Sequence, residues 1–363
     1  MKILFYFGHP AQYHFLKYSI KILRDKGHYI TLVIKTKDIL EDLLKENNEE
    51  FFNILPEGRK EKKIQIFWGL IKRDFRLFRF VLKKRVDLLI GTDPSLSHVG
   101  WLLRIPVLTV LEDDSNVIPT LVKLTYPFTS YIITPKNVSV GKFINKQICY
   151  NGYMKLAYLH PLYFTPKDPQ IRQPYYLIRL SGLSAYHDNG INGIDESLLD
   201  KVVSKLSKWG LIFISSEKLL PSKYSQYLTT FKYSEMHHFL ACAAMLISDS
   251  QSMSMEAAML GVPSIRFSDF SGRISVLEEL EHKYELTFGI PTSEPQILLD
   301  KIDELLSDNG LLETFQLRRK KMLSEKIDVT AFMVWLIEKF PNSIKNVKEN
   351  PDYQPILDDD LEN

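Results

Sequence analysis

Two sets of residues in this chain have types and spacings suited to chemistry. The first lies in the segment MLISDSQSMSMEAAMLGVPSIR, Met245–Arg266. It reads as a buried strand over Met245–Ile247, a polar turn over Ser248–Gln251 and a helix over Ser252–Leu260. A glycine stop at Gly261 and a second strand over Pro263–Phe267 follow. The start of a helix carries unpaired N–H groups and a positive dipole end, so Ser250, Gln251, Ser252 and Met253 can hold an anion such as a diphosphate. Glu256 falls one turn into the helix, where a carboxylate can accept hydrogen bonds from ribose hydroxyls. The plainer alternative is an ordinary strand–helix unit with Glu256 on its solvated face.

The second set follows predicted strands in the first half of the chain. Gly8-His9-Pro10 ends the first strand and opens a helix: Gly8 permits a tight turn and Pro10 suits a first helical position. His9 then points toward a cleft, where an imidazole can take a proton from a hydroxyl, contact a phosphate or simply cap the helix. Asp93, in Thr92-Asp93-Pro94-Ser95, and Glu112 with Asp113, in Glu112-Asp113-Asp114, follow two further strands. Both acidic clusters should face the same cleft, where carboxylates can exchange protons. Helix capping competes, with Asp93 before Pro94 and Asp114 or Ser115 before the next helix.

In the second half, Arg179 and Ser181 end a strand, and His187 lies in the loop beyond. Arg179 or His187 can neutralise charge developing on a diphosphate leaving group. Ser215 and Ser216 follow the next strand as further nucleotide candidates. His237 and His238 are adjacent rather than four apart, so no metal site is expected from them.

These residues need a frame to hold them, and hydropathy supplies one. Strands are expected at Ile3–Phe7, Tyr29–Ile34, Phe51–Leu55, Leu88–Ile90, Val107–Leu111 and Tyr131–Thr134. Helices are expected near Tyr13–Lys26, Lys37–Asn47, Gln65–Lys84 and Leu96–Leu103. The Pro-rich stretch 161–174 breaks the rhythm and reads as a linker. A second alternating set begins with strand Tyr175–Leu180 and runs through helix Glu196–Trp209, strand Leu211–Ser215 and helix Ser234–Ala243. Beyond Phe267, helices are expected near Val276–Lys283, Glu294–Ser307 and Leu311–Ser324. Such alternation calls for parallel sheets covered on both faces, with ligands at the carboxyl ends of the strands. The expected architecture is α/β: an acceptor domain over 1–160 and a donor domain over 175–325, both doubly wound and facing a central cleft. A C-terminal helix over 326–342 should pack on something already folded. From Ser343 to 363 the chain reads as a mobile acidic tail.

Composition narrows the classes. The chain has 363 residues, 45% of them hydrophobic and 25% charged, which suits two soluble domains. A net charge of +2 argues against an extensive nucleic-acid surface. Cys149 and Cys242 cannot form a zinc cluster, and a reducing cytoplasm is expected. Met1 leads directly into a strand, so no cleavable leader is expected, and no apolar run reaches the roughly 18 residues of a membrane span.

Several segments together resemble one prokaryotic family of unknown or loosely assigned function, usually placed with GT-B glycosyltransferases and related to UDP-N-acetylglucosamine 2-epimerase. They are FGHPAQYHFLK (Phe7–Lys17), RDKGH (Arg24–His28), LTYPF (Leu124–Phe128) and YNGYMKLAYLHP (Tyr150–Pro161). FISSE (Phe213–Glu217), the Ser248–Pro263 segment and KIDVTAFMVWLIEKFP (Lys326–Pro341) complete the set. The resemblance implies a GT-B-like pair of Rossmann-like domains and a metal-independent glycosyltransferase in surface polysaccharide or glycolipid assembly. The co-substrate would be a nucleotide sugar, a UDP-sugar foremost, with no cofactor. The acceptor would be a glycan or a lipid-linked glycan. In relatives the donor turn is richer in glycine than Ser250-Gln251-Ser252. The related epimerases also carry a further downstream Glu where this chain has Pro119-Thr120-Leu121, which tilts the expectation toward transfer. An epimerase-like isomerase or hydrolase, and a non-catalytic nucleotide-sugar-binding protein, stay as alternatives.

Between Gln65 and Arg85, Phe67, Trp68, Phe75, Phe78 and Phe80 interleave with Lys72, Arg73, Arg76, Arg79, Lys83 and Lys84. A basic amphipathic helix of this kind suits anionic lipid headgroups, so peripheral contact with the inner face of the membrane is expected through 65–85. The plainer alternative is a sheet-packing helix with a basic outer face.

Overall fold

In β1 (Lys2–Phe7) every residue after Lys2 is buried, as suits the middle of a parallel sheet covered on both faces. The computed structural model describes residues 1–36, 39–56, 63–182, 193–229, 232–351 and 353, with backbone alone over 63–67. From β1 the chain alternates through α1 (Pro10–Asp25), β2 (Tyr29–Lys35), α2 (Leu40–Glu46), β3 (Phe51–Leu55) and α3 (Lys63–Lys84). It continues through β4 (Leu88–Gly91), α4 (Pro94–Leu103), β5 (Val107–Val110), α5 (Pro119–Thr125), β6 (Tyr131–Pro135), β7 (Gln147–Tyr150) and the short turn α6 (Leu156–Leu159). Among the described residues these strands form one parallel sheet in the order β3-β2-β1-β4-β5-β6-β7. One face is packed by Leu4, Tyr6, Val33 and Leu89 against Leu77 and Val81 of α3 and Leu96 and Val99 of α4. Tyr13, Leu16, Ile20 and Leu23 form the buried stripe of α1, and Tyr13 meets Phe7 edge-on at 5.7 Å.

The second alternating set is β8 (Tyr175–Leu180), α7 (Glu196–Leu206), β9 (Leu211–Ser216), α8 (Met236–Ala241), β10 (Met245–Ser248), α9 (Gln251–Leu260) and β11 (Ser264–Phe267). It ends with α10 (Ser275–His282), β12 (Phe288–Ile290), α11 (Pro295–Leu306) and α12 (Leu311–Glu325). Its sheet is also parallel, in the order β12-β11-β10-β8-β9. Ile178, Ile247 and Ile265 pack there against Leu199, Val202 and Leu206 of α7 and Leu298 and Ile302 of α11.

The chain divides into two units, Met1–Tyr158 with Ile327–Asn363, and Leu159–Lys326. The last helices therefore belong to the first unit. In α13 (Val329–Glu338), capped by Asp328 through a 2.9 Å bond from the Ala331 N–H, Val329–Val334, Leu336 and Ile337 are buried. This is the packing that its all-round apolar surface requires. The expectation of a mobile tail over 343–363 is corrected for its first part by α14 (Asn342–Glu349), while 352 and 354–363 lie outside the described residues. Ile344 and Val347 are buried on one side of that helix, and the Ser343 hydroxyl donates to the Leu336 carbonyl at 2.6 Å. Two apolar residues three apart in a polar stretch suffice for one docked helical face.

Candidate functional site

In a parallel sheet, ligands gather where the strand order reverses, at the carboxyl ends of the strands flanking that point. In the first unit the reversal falls between β1 and β4, and these strands lead into His9 and Asp93. His9 is extended (φ −156°, ψ 145°), and its Nδ1 accepts the Ala11 N–H at 3.2 Å, so it caps α1. With Nδ1 accepting, the ring proton sits on Nε2, which makes the imidazole a hydrogen-bond donor in this arrangement. Proton uptake would need the cap to break.

Asp93 caps α4 through the Ser95 N–H at 3.0 Å. Its other oxygen takes Lys35 Nζ at 2.8 Å, and Arg73 Nε lies 3.7 Å away. Burial raises its pKa, but the charges of Lys35 and Arg73 and the hydrogen bonds from Lys35 and Ser95 outweigh it, holding the carboxyl well below the usual range. A carboxylate so fixed stays ionised and is a poor proton shuttle.

Glu112 follows β5. Its Oε1 pairs with Lys155 Nζ at 2.5 Å, with both residues buried. Its Oε2 is buried and has no hydrogen-bond partner among the described residues. Burial, and after it the Glu112 charge, push the nearby Tyr150 phenol well above its ordinary pKa. Asp113 is half-buried. Asp114 accepts the Ser139 N–H at 2.8 Å, and α5 begins after Ile118 with no side-chain cap, so neither Asp114 nor Ser115 caps it.

In the second unit the reversal falls between β8 and β10. The backbone N–H and hydroxyl of Ser181 both bond Oδ1 of Asp249, at 2.6 and 2.8 Å. Burial raises the Asp249 pKa against these bonds and the Lys218 charge. Gly193 lies so close that a Cβ there would stand 2.5 Å from Asp249 Oδ2, so a larger residue would displace the Asp249 side chain. Arg179 bonds Ser215 Oγ at 2.7 Å and pairs with Glu217, whose other oxygen takes the Gly182 N–H at 2.8 Å. Ser216 Oγ closes a local turn with the N–H and carbonyl of Lys218. Arg179, Ser215 and Ser216 are thus committed to one another and to their own loops. His187 lies outside the described residues.

The turn before α9 has the predicted form. Ser250 caps it by accepting the Met253 N–H at 3.4 Å, and Gly261 ends it in the left-handed region (φ 69°). The helix starts one residue earlier than expected, at Gln251. The Gln251 side chain is bonded on both sides within the second unit. It accepts from Arg266 Nη1 and donates to Ser268 Oγ, each at 2.8 Å. Arg266 is fully buried and lies 3.7 Å from Glu281. It braces the start of α9 from β11. Glu256 is buried rather than solvated, and its Oε1 lies 3.2 Å from His237 Nε2. Among the described residues no group of three or more His, Cys, Asp or Glu side chains could hold a metal ion.

Sequence reasoning passed over Lys35, Lys155, Asp249 and Arg266, and weighed His237 only as a metal ligand. Only Arg266 had a signal: an arginine inside the apolar strand SIRF must be buried and paired.

No protein-family model and no curated protein matches the chain. Solved structures do match, nearly end to end. An S. aureus MnaA–UDP co-structure matches at 13% identity over 95% of this chain and 98% of that one, with a TM-score of 0.69. UDP-GlcNAc 2-epimerase from Neisseria meningitidis bound to UDP-GlcNAc matches at 13% over 93% and 100%, TM-score 0.65. The spinosyn rhamnosyltransferase SpnG complexed with spinosyn aglycone matches at 12% over 93% and 100%, TM-score 0.63. The fold is of the GT-B type. At this identity the likeness shows the fold and no particular reaction.

Proposed function

We propose that the chain is a nucleotide-sugar-dependent glycosyltransferase, with the donor on the second unit and a glycan or lipid-linked glycan acceptor on the first. One observation carries this reading: a Ser250-capped helix starts at the strand reversal of the second unit, with Glu256 one turn in. The first turn of α9 offers N–H groups to a diphosphate, from Gln251 and Ser252, with the Met253 N–H taken by the Ser250 cap, and Glu256 takes the ribose. The neighbours' ligands, UDP and UDP-GlcNAc, support a UDP-sugar as donor. On the first unit Glu112, whose Oε2 has no hydrogen-bond partner among the described residues, is the preferred general base, since His9 caps a helix and both oxygens of Asp93 are engaged by Ser95 and Lys35. His9 serves better as a donor to a phosphate or hydroxyl, and Asp113 is the second carboxylate in reach of the same strand ends.

Epimerisation is the second reading, favoured by the full-length likeness to UDP-GlcNAc 2-epimerases. It needs groups that give and take protons, and the fixed charge of Asp93 weighs against it. A panel of nucleotide sugars separates the two. Nucleotide release that depends on an added glycan or glycolipid acceptor supports transfer. Epimerised or free sugar without acceptor replaces transfer with the second reading, and binding without turnover would leave a non-catalytic nucleotide-sugar-binding protein.

A further inference from the structure

We infer that His237 is the positioning residue that presents Glu256 to the ribose, an inference that rests on the nucleotide reading of α9. A carboxylate as buried as Glu256 needs a donor, and His237 Nε2 lies 3.2 Å from its Oε1, with both side chains about nine-tenths buried. Two adjacent histidines on α8 divide the work. His238 turns away, stacking on Phe164 at 4.8 Å and accepting the Lys167 N–H at 3.2 Å. The same Phe164 ring meets His237 edge-on at 6.3 Å and 86°. One aromatic ring therefore packs against both imidazoles and fixes the orientation of the one beside Glu256.

The chemistry follows from that orientation. A ribose presents two neighbouring hydroxyl donors, and a carboxylate accepts both only if its plane is set beforehand. An N–H from His237 to Oε1 sets that plane while leaving the negative charge that makes Glu256 a strong acceptor. His237 need not touch the nucleotide.

The test compares UDP with 2′,3′-dideoxy-UDP, by calorimetric titration of the whole chain carrying His237→Ala or His237→Gln. Glutamine keeps an N–H donor on a side chain of similar reach. The expected result is a Kd for UDP raised about tenfold in His237→Ala, the size of one charge-assisted hydrogen bond, and largely restored in His237→Gln. With the dideoxy ligand all three proteins should bind alike. A His237→Ala penalty of the same size for both ligands would overturn the positioning role, because the histidine would then act on the fold or the diphosphate. Unaltered UDP affinity in His237→Ala would overturn it too. Failure of the unaltered protein to bind UDP would instead remove the nucleotide reading on which the inference stands.

Discussion

Lys35 and Asp93 meet beside the end of β1, Nζ to Oδ2 at 2.8 Å, although one residue ends β2 and the other follows β4. The lysine reaches Asp93 over Gly8, where an added Cβ would lie 2.9 Å from Lys35 Cε. One ion pair thus ties together three strand ends at the point where the sheet order reverses.

Asp93→Asn should destabilise the first unit by about 3–5 kcal/mol, the usual cost of breaking a buried pair from one side, as read by urea denaturation at pH 7. The pH dependence has a definite sign. The folded pKa lies below the unfolded value of about 3.9, so the pair's contribution is present above that value. It is lost as pH falls toward the depressed folded pKa. Wild type should therefore lose more stability than Asp93→Asn between pH 5 and pH 2. Parallel curves over that range would show that the pair contributes nothing net.

His98 should behave with the opposite sign. Its ring nitrogens contact Asp74 Oδ2 at 2.9 Å and the Leu124 carbonyl at 2.8 Å, joining α4 to α3 and to the end of α5. Burial lowers its pKa, but the Asp74 hydrogen bond and charge and the Leu124 carbonyl raise it further, so the net shift is upward. Its contribution is then full below the unfolded pKa of about 6.5 and fades as pH rises through the folded value. Melting temperatures at pH 6 and pH 8.5 should differ more for wild type than for His98→Gln. Equal differences in the two proteins would refute the linkage.

Glu256→Ala should weaken UDP binding about tenfold or more while leaving the melting temperature within a few degrees. Wild-type affinity in a folded Glu256→Ala variant would count decisively against α9 as the donor site.

The alternation of apolar runs makes both sheets and most helices legible in the amino-acid sequence, because a parallel strand covered on both faces must be continuously apolar, as β1 and β10 are. Elements without that signal escape. β7 and β12 span only four and three residues, and α5 starts at Pro119, beyond the Asp114 or Ser115 cap expected for it. The turn Ser248–Gln251 and the cap at Ser250 are legible because capping chemistry is local. What Gln251 and Arg179 bind is not, since their partners Arg266 and Glu217 come from other strands and loops. The basic residues of α3 teach the same lesson: charge on a helix does not say which charges face water.

That helix carries the last prediction. Of its aromatic residues, Phe78 and Phe80 turn inward against the core, and Phe80 stacks on Phe52 at 4.5 Å. Arg73 is taken by Asp93, and Arg76 donates to the Ile54 carbonyl at 2.9 Å. The packing therefore takes four of the expected surface residues, and the Phe67 side chain lies outside the described residues. Trp68, Ile71, Phe75 and Leu82 remain exposed at steps of three, four and seven residues, which puts them along one stripe, with Lys72, Arg79 and Lys83 exposed beside them. No helix among the described residues is long and apolar enough to cross a membrane. If the acceptor is lipid-linked, this stripe should attach the first unit to anionic bilayers. Three basic residues at about 1 kcal/mol each give weak, salt-sensitive binding, and the indole and phenyl rings add to it. Vesicles of phosphatidylglycerol and phosphatidylcholine should co-sediment the protein at low salt and release most of it at high salt. Trp68→Ser with Phe75→Ser should abolish sedimentation without lowering the melting temperature, since both rings face outward. Failure of the unaltered protein to sediment with anionic vesicles at low salt would leave α3 as a sheet-packing helix and point to a soluble acceptor.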